Sequence, residues 1–336
     1  MTITRSSFKD NRAGNDGYGG AIYASSRQVT ISSAHFGGNR AGNCSDHAYG
    51  GAISFNTDNF IITSSTFINN EASGGEGGAI YSDRRYTNIS LTDNTFTQNT
   101  AAQCGVMKVN EFYHHVNMIG NTFTYNRATR MISRNKGGGV MCIRTASLSI
   151  IDNNFSHNSA AGGAGVIQVD ESDVIIERSI FSNNRVGGNG GVLLTYAYPT
   201  RYSIINSSFT NNQAGYDGGV MYVGRADSHV TFSLSAFVFN NAKNRGGVVA
   251  IAGSFLKLSQ VSTFENTAKL GNVVSFCKSH IITENPALPV RWDPIYPTVC
   301  GLFGNVKSAS TNETVSRTTE QTAPPPLHIA TDQSHE

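Results

Sequence analysis

Apolar and polar residues alternate with a period of two in short runs, as in Val29-Thr30-Ile31-Ser32, Ile89-Ser90-Leu91-Thr92, Val174-Ile175-Ile176-Glu177 and Val230-Thr231-Phe232-Ser233. A period of two puts alternate side chains on opposite faces of a strand. Each run leads into a phenylalanine with an asparagine three residues later. The pair recurs at Phe8/Asn11, Phe36/Asn39, Phe67/Asn70, Phe96/Asn99, Phe123/Asn126, Phe155/Asn158, Phe181/Asn184, Phe209/Asn212 and Phe237/Asn240, and a tenth copy at Phe264 carries Thr267 instead. Successive phenylalanines are 26 to 32 residues apart, a repeat of about 28 with small insertions.

Two residues after each asparagine stands a small residue, such as Ala41, Ala72 or Ala128, and then a glycine pair opens an apolar strand, as in Gly50-Gly51-Ala52-Ile53 and Gly218-Gly219-Val220-Met221. Glycine suits a backbone that needs positive φ or a close approach to its neighbour. Strands this short cannot bury their apolar side alone. Stacked coil on coil, they place Phe over Phe and Ile over Ile about 4.8 Å apart. The chain therefore reads as all-β, a parallel β-helix (solenoid) of about ten rungs. Asparagine at a fixed corner is explained by its tolerance of the left-handed conformation and by an amide that can bond the same amide one rung away. Residues that recur in every rung are structural.

Proline marks the boundaries: only Pro199 lies within the repeats and the other seven begin at Pro286. The solenoid is expected over 1–276, a C-terminal cap over 277–304, and a disordered Ser/Thr/Pro-rich tail over 305–336. The chain opens directly on repeat sequence, which suggests truncation of the repeats at the N-terminus. No stretch has the 18 or more apolar residues of a membrane span. With only 14% charged residues and a net charge of +2, no run of one sign points to a nucleic-acid partner.

The paired Phe-x-x-Asn and Gly-Gly-Ala-Ile motifs resemble the repeats of the chlamydial polymorphic outer membrane proteins, over residues 1 to about 276; similar arrays occur in large surface proteins of sponges and cnidarians. The resemblance implies a right-handed helix displayed at a cell surface or outside the cell, and used for adhesion.

Candidate chemistry is sparse. β-Helical polysaccharide lyases and hydrolases need carboxylates stacked on adjacent rungs of an exposed strand. Three residues past the glycine pair, the expected outward column reads Tyr23, Ser54, Tyr81, Lys108, Cys142, Gln168, Leu194, Tyr222, Ala250 and Ser275, without a carboxylate. On the pre-Phe strand the outward column has Glu177 alone. Asp170, Glu171 and Asp173 form one acidic cluster, with Arg144 and Tyr196 as cross-rung neighbours, and read as a solvated loop. His114 and His115 read as a surface pair on opposite faces of a strand. No cofactor or metal site is expected. The Thr and Ser ladder of the early rungs suits ice binding but breaks at Asn117/Ile119.

Cys277 and Cys300 bracket the cap and form the expected disulfide, whereas Cys44, Cys104 and Cys142 occupy different positions in their rungs and are expected not to meet. Ile119 and Ile151 are outward apolar residues on adjacent rungs, a candidate binding patch unless the strand is misphased. The chain is thus expected to be a non-enzymatic module that engages a protein or glycan on another cell or matrix. The alternatives are a polysaccharide lyase or glycoside hydrolase, and a structural spacer.

Overall fold

The computed structural model describes residues 1–42, 47–110, 113–144, 146–224 and 227–284, together with the backbone of 306–308. Its regular elements are all strands, and the strands pair in parallel. Each coil has an apolar strand after the glycine pair, such as Met107–Val109, and a pre-Phe strand, such as His114–Ile119; together these build one 20-stranded sheet. The Phe strands, such as Thr122–Thr124, build a second sheet of ten, and the Ala strands, such as Arg127–Ala128, a third. The fold is a right-handed parallel β-helix of about ten turns, with one continuous core inside it.

Register keeps like over like: Ile80 pairs with Met107, Met107 with Met141, and Met141 with Ile167. The rings of Phe8, Phe36, Phe67, Phe96, Phe123, Phe155, Phe181, Phe209 and Phe237 form one stack with centroids 4.7–5.2 Å apart, the distance between coils. Phe264 does not continue it. Phe237 pairs with Thr263, and Phe264, opposite Val238, is 57% exposed and edge-on to Phe239. The corner asparagine of that coil is Asn266, which accepts from Asn240, so the inward position three residues earlier is Thr263. A one-residue slip in phase sends the side chain to the opposite face.

The asparagine column is a closed hydrogen-bond network. Amide bonds run from Asn11 to Asn39, Asn39 to Asn70, Asn70 to Asn99, and onward through Asn126, Asn158, Asn184 and Asn212 to Asn240. Asn99 Nδ2 donates to Asn126 Oδ1 one coil on (3.0 Å) and to the Phe67 carbonyl one coil back (2.9 Å), while Asn126 Oδ1 also accepts the Asn99 backbone N–H. Asn11 differs from the other eight: it is exposed where they are fully buried.

The expected backbone conformation of this column is corrected. None of Asn11, Asn39, Asn70, Asn99, Asn126, Asn158, Asn184, Asn212 and Asn240 is left-handed. The left-handed residue is the one before each, namely Asp10, Gly38, Asn69, Gln98, Tyr125, His157, Asn183, Asn211 and Phe239, with φ between 55° and 67°. That residue turns the chain, and the asparagine after it points inward, where a desolvated amide has to be fully bonded.

Cys104 and Cys142, expected not to meet, form a disulfide between successive coils, with Cα atoms 5.5 Å apart. Cys104 stands where other coils have the first glycine of the pair, at φ 57°. A Cβ on Gly77 at that position would lie 3.3 Å from the Lys108 nitrogen of the following coil. A side chain there therefore faces the outward column of the next coil, which for Cys104 holds Cys142, the register partner of Lys108. Different positions within a rung are adjacent columns in space. Cys44 and Cys300 lie outside the described residues, and so does the expected bond from Cys277 to Cys300.

The outward column itself is correct in register but largely covered: Ser54, Tyr81, Cys142, Leu194 and Ala250 are buried. The segment leading into the glycine pair lies over it, as the Tyr49 ring does over Tyr81, 4.5 Å between centroids. At the far end, His280–Thr283, placed by sequence in the cap, adds another parallel strand to Phe255–Ser259, and Val306–Ser308, placed in the tail, pairs with it in turn. An unpaired sheet edge offers donors and acceptors that the next segment satisfies. The remainder of the expected cap and tail lies outside the described residues.

Candidate functional groove

In several coils the chain makes a sharp turn just before the pre-Phe strand, through three successive columns. The first residue is left-handed: Tyr86, Tyr113, Glu171 and Asp227 have φ of 58°, 67°, 53° and 68°. The second points inward and forms a buried polar ladder. Ser172 Oγ accepts from Ala146 N–H (3.0 Å), Ser228 Oγ from Thr200 N–H (3.1 Å) and Ser254 Oγ from Ser228 N–H (3.2 Å). The third points outward and opens the strand. In register these outward residues are Asn88, His115, Ser147, Asp173, Arg201 and His229.

Two exposed rows thus flank one buried row and enclose an open groove of about 470 Å³. Tyr113, Glu171, Pro199 and Asp227 line one side, and His115, Ser147, Asp173, Arg201 and His229 the other. Tyr86 stacks on Tyr113 at 5.2 Å and nearly parallel, both more than half exposed. The groove therefore offers an aromatic surface, three carboxylates, a guanidinium and two imidazoles, suited to stacking on a ring and hydrogen bonding a polar ligand. A smaller depression of about 310 Å³ continues from it past Asn88, Ser90 and Asn117. Next along the strand from Arg201, the Tyr202 hydroxyl bonds Thr195 Oγ1 at 2.6 Å, and burial pushes this phenol far above its ordinary pKa. It remains a neutral donor and acceptor.

Two expectations change at this site. His114 is not on the surface: it is buried in the polar ladder at the base of the groove, with Nε2 2.8 Å from the Asn110 carbonyl, and His115 is the exposed member of the pair. The acidic cluster also divides. Asp170 is buried and accepts the backbone N–H groups of Tyr196 (2.9 Å) and Ala197 (2.8 Å), fastening the next coil's loop. Glu171 pairs with Arg144, whose guanidinium lies 4.0 Å from the Tyr198 ring centre. Only Glu171 and Asp173 line the groove.

Ile119 and Ile151 pair in register on the outward face, half-buried and apart from the core cluster. They sit four residues along the strand from His115 and Ser147, about 13 Å away, and do not line the groove. Among the described residues, no three His, Cys, Asp or Glu side chains converge as metal ligands, and no helix is long and apolar enough to cross a membrane.

Residues 5–25 and 64–83 match the Chlamydia polymorphic membrane protein repeat, each spanning a Phe-Asn pair and the Gly-Gly pair that follows it. Two segments of the chain are thus similar to the polymorphic-membrane-protein repeat. Residues 110–237, the coils that carry most of the groove, match the right-handed beta helix region. No curated protein and no solved structure matches the chain. These repeats account for the inward columns, which recur; the groove is lined by outward residues that differ from one repeat to the next.

Proposed function

We propose that this β-helix of polymorphic-membrane-protein repeats is a non-catalytic recognition module, working at a cell surface or outside the cell, that holds a protein or glycan ligand of another cell or matrix. The observation that carries this is the groove. Its two outward rows break the repeat, and they place the exposed Tyr86–Tyr113 stack beside a row of hydrogen-bonding side chains. The repeat family supports display at a surface, and the Cys104–Cys142 bond is of a kind that persists in oxidising compartments.

A polysaccharide lyase or hydrolase is the second reading, favoured by Glu171, Asp173 and Asp227 in the same groove. One experiment separates them. The purified protein is applied to a glycan array and, in parallel, incubated with polygalacturonate and alginate. Binding without turnover, weakened by Tyr113→Ala and Arg201→Ala, is the expected result. Chain cleavage would establish the enzyme, and neither binding nor cleavage would leave a structural spacer.

A further inference from the structure

The outer side of the Ala sheet carries a column that runs, in register, Arg40, Glu71, Thr100, Arg127, Ser159, Arg185. Several cations of the helix are matched across coils: Arg40 pairs with Glu71, Arg178 with Asp152 and Arg245 with Asp217. Arg127 and Arg185 have only Thr100, Ser159 and Gln213 as register neighbours. Both are exposed, and among the described residues neither guanidinium has an ion pair or a hydrogen bond. Between them lies a trench of about 260 Å³, lined by the small residues Ala128, Ser159, Ala160, Ala161 and Gly187.

We propose that this trench is a second ligand site, distinct from the groove, for the sulfate or carboxylate groups of a linear anionic polysaccharide. Two like charges held two coils apart, about 9.6 Å along the axis, repel each other unless an anion lies between or across them. Guanidinium presents a planar fork that grips such groups through paired hydrogen bonds, and the small floor lets a chain lie close to the sheet. The spacing is on the scale of one disaccharide, so successive charged groups of one chain reach both arginines. The insertion at 129–137 follows directly on Ala128, which lines the trench. It is fastened to the neighbouring coil by the Arg134 carbonyl, which accepts from Gly163 and Asn189 N–H, and by Arg134 lying over the Tyr216 ring. That insertion also exposes Met131 and Ile132, and a membrane surface is therefore an outcome that the test has to distinguish. The trench is concave and the arginines flank it, which favours a polymer chain over a flat bilayer.

The test measures binding of the 336-residue protein to dextran sulfate, polygalacturonate, neutral dextran, and phosphatidylserine vesicles. Binding to at least one of the two polyanions, weakened by salt and absent for neutral dextran, is expected. Arg127→Gln with Arg185→Gln should lose at least tenfold, and Arg127→Lys with Arg185→Lys should fall between, since charge is kept and the fork is lost. Arg5→Gln with Arg27→Gln removes the same net charge from exposed positions elsewhere and should change little; circular dichroism confirms that each variant is folded. No polyanion binding, equal loss in both Gln pairs, or binding to vesicles alone would overturn the proposal.

Discussion

Phe155 tests the packing of the core. Its ring is fully buried, 4.7 Å from Phe123 and 4.8 Å from Phe181. Truncation to alanine removes a transfer contribution of about 1.5–3 kcal/mol. The void cannot close, because the coils above and below are held at their spacing by the sheet ladders and by the Asn126–Asn158–Asn184 bonds on the same turn. A cavity term therefore adds to the transfer term, and Phe155→Ala should destabilise by roughly 3–5 kcal/mol. Phe264→Ala removes the same atoms from an exposed site and should cost less than about 0.5 kcal/mol. Exchanging the two residues, as Thr263→Phe with Phe264→Thr, should extend the stack by one ring and stabilise the last coils. Reversible urea unfolding followed by circular dichroism reads all three. Equal costs for Phe155→Ala and Phe264→Ala would refute the ring stack and the one-residue slip together.

The Cys104–Cys142 bond closes a segment of 38 residues, for which unfolded-chain entropy gives roughly 4 kcal/mol; the double Ser variant should unfold earlier by about that amount, and intact-mass alkylation should find both wild-type thiols blocked. Asn158→Ala should cost about 1–3 kcal/mol for each group left unpaired, among them Asn126 N–H and Nδ2 and the Phe123 carbonyl, whereas Asn154→Ala on the outer face of the same coil should be near neutral in the same assay. Arg178 grips Asp152 with two hydrogen bonds of 2.8 and 3.0 Å and holds its carboxyl below the ordinary value. A carboxyl depressed in the folded state contributes stability above its unfolded pKa and loses it as pH falls through the folded value, so Asp152→Asn should differ from wild type at neutral pH and converge with it in acid; a difference that persists in acid would discount the pair.

The inward architecture was legible because it repeats. Nine phenylalanines and nine asparagines at one spacing leave little freedom in phase, and the slip at Phe264 arose where the motif lost its asparagine and Asn266 stood one residue early. The turn before each asparagine was harder to read, because residues as different as Gly38, Tyr125 and Phe239 occupy it and no side-chain type marks it. Two further ladders were not recognised. One alternates Ser65, Asn94, Asn121, Asn153 and Ser179, and the other mixes Thr, His and Ser around Ser172 and Ser228. In both, different residue types perform one task, accepting a backbone N–H from the adjacent coil, so a search for identical residues passes over them. A small polar residue flanked by a turn residue and the first outward residue of a period-two strand was the available signal. The disulfide is illegible for a related reason: the repeat orders residues within one column, and the bond joins two.

The same division explains where recognition can reside on this fold. An inward residue touches its counterparts in the coils above and below, so a change at Phe155 or Asn158 disturbs two neighbours at once and the repeat is held to one solution. An outward residue such as Asp173 or Arg201 meets solvent and one neighbour on each side, and surface substitutions of this kind change stability little. Outward columns can therefore differ from coil to coil without loss of the helix, and a chain of near-identical coils acquires a specific surface only there. The groove between Tyr113 and His229 and the trench between Arg127 and Arg185 are two such places, on different faces of the same coils. If the two sites hold different ligands, they should be separable by mutation: Arg127→Gln with Arg185→Gln should leave the groove ligand bound, and Tyr113→Ala should leave the polyanion bound. Loss of both ligands from either variant would mean that one extended ligand wraps the helix.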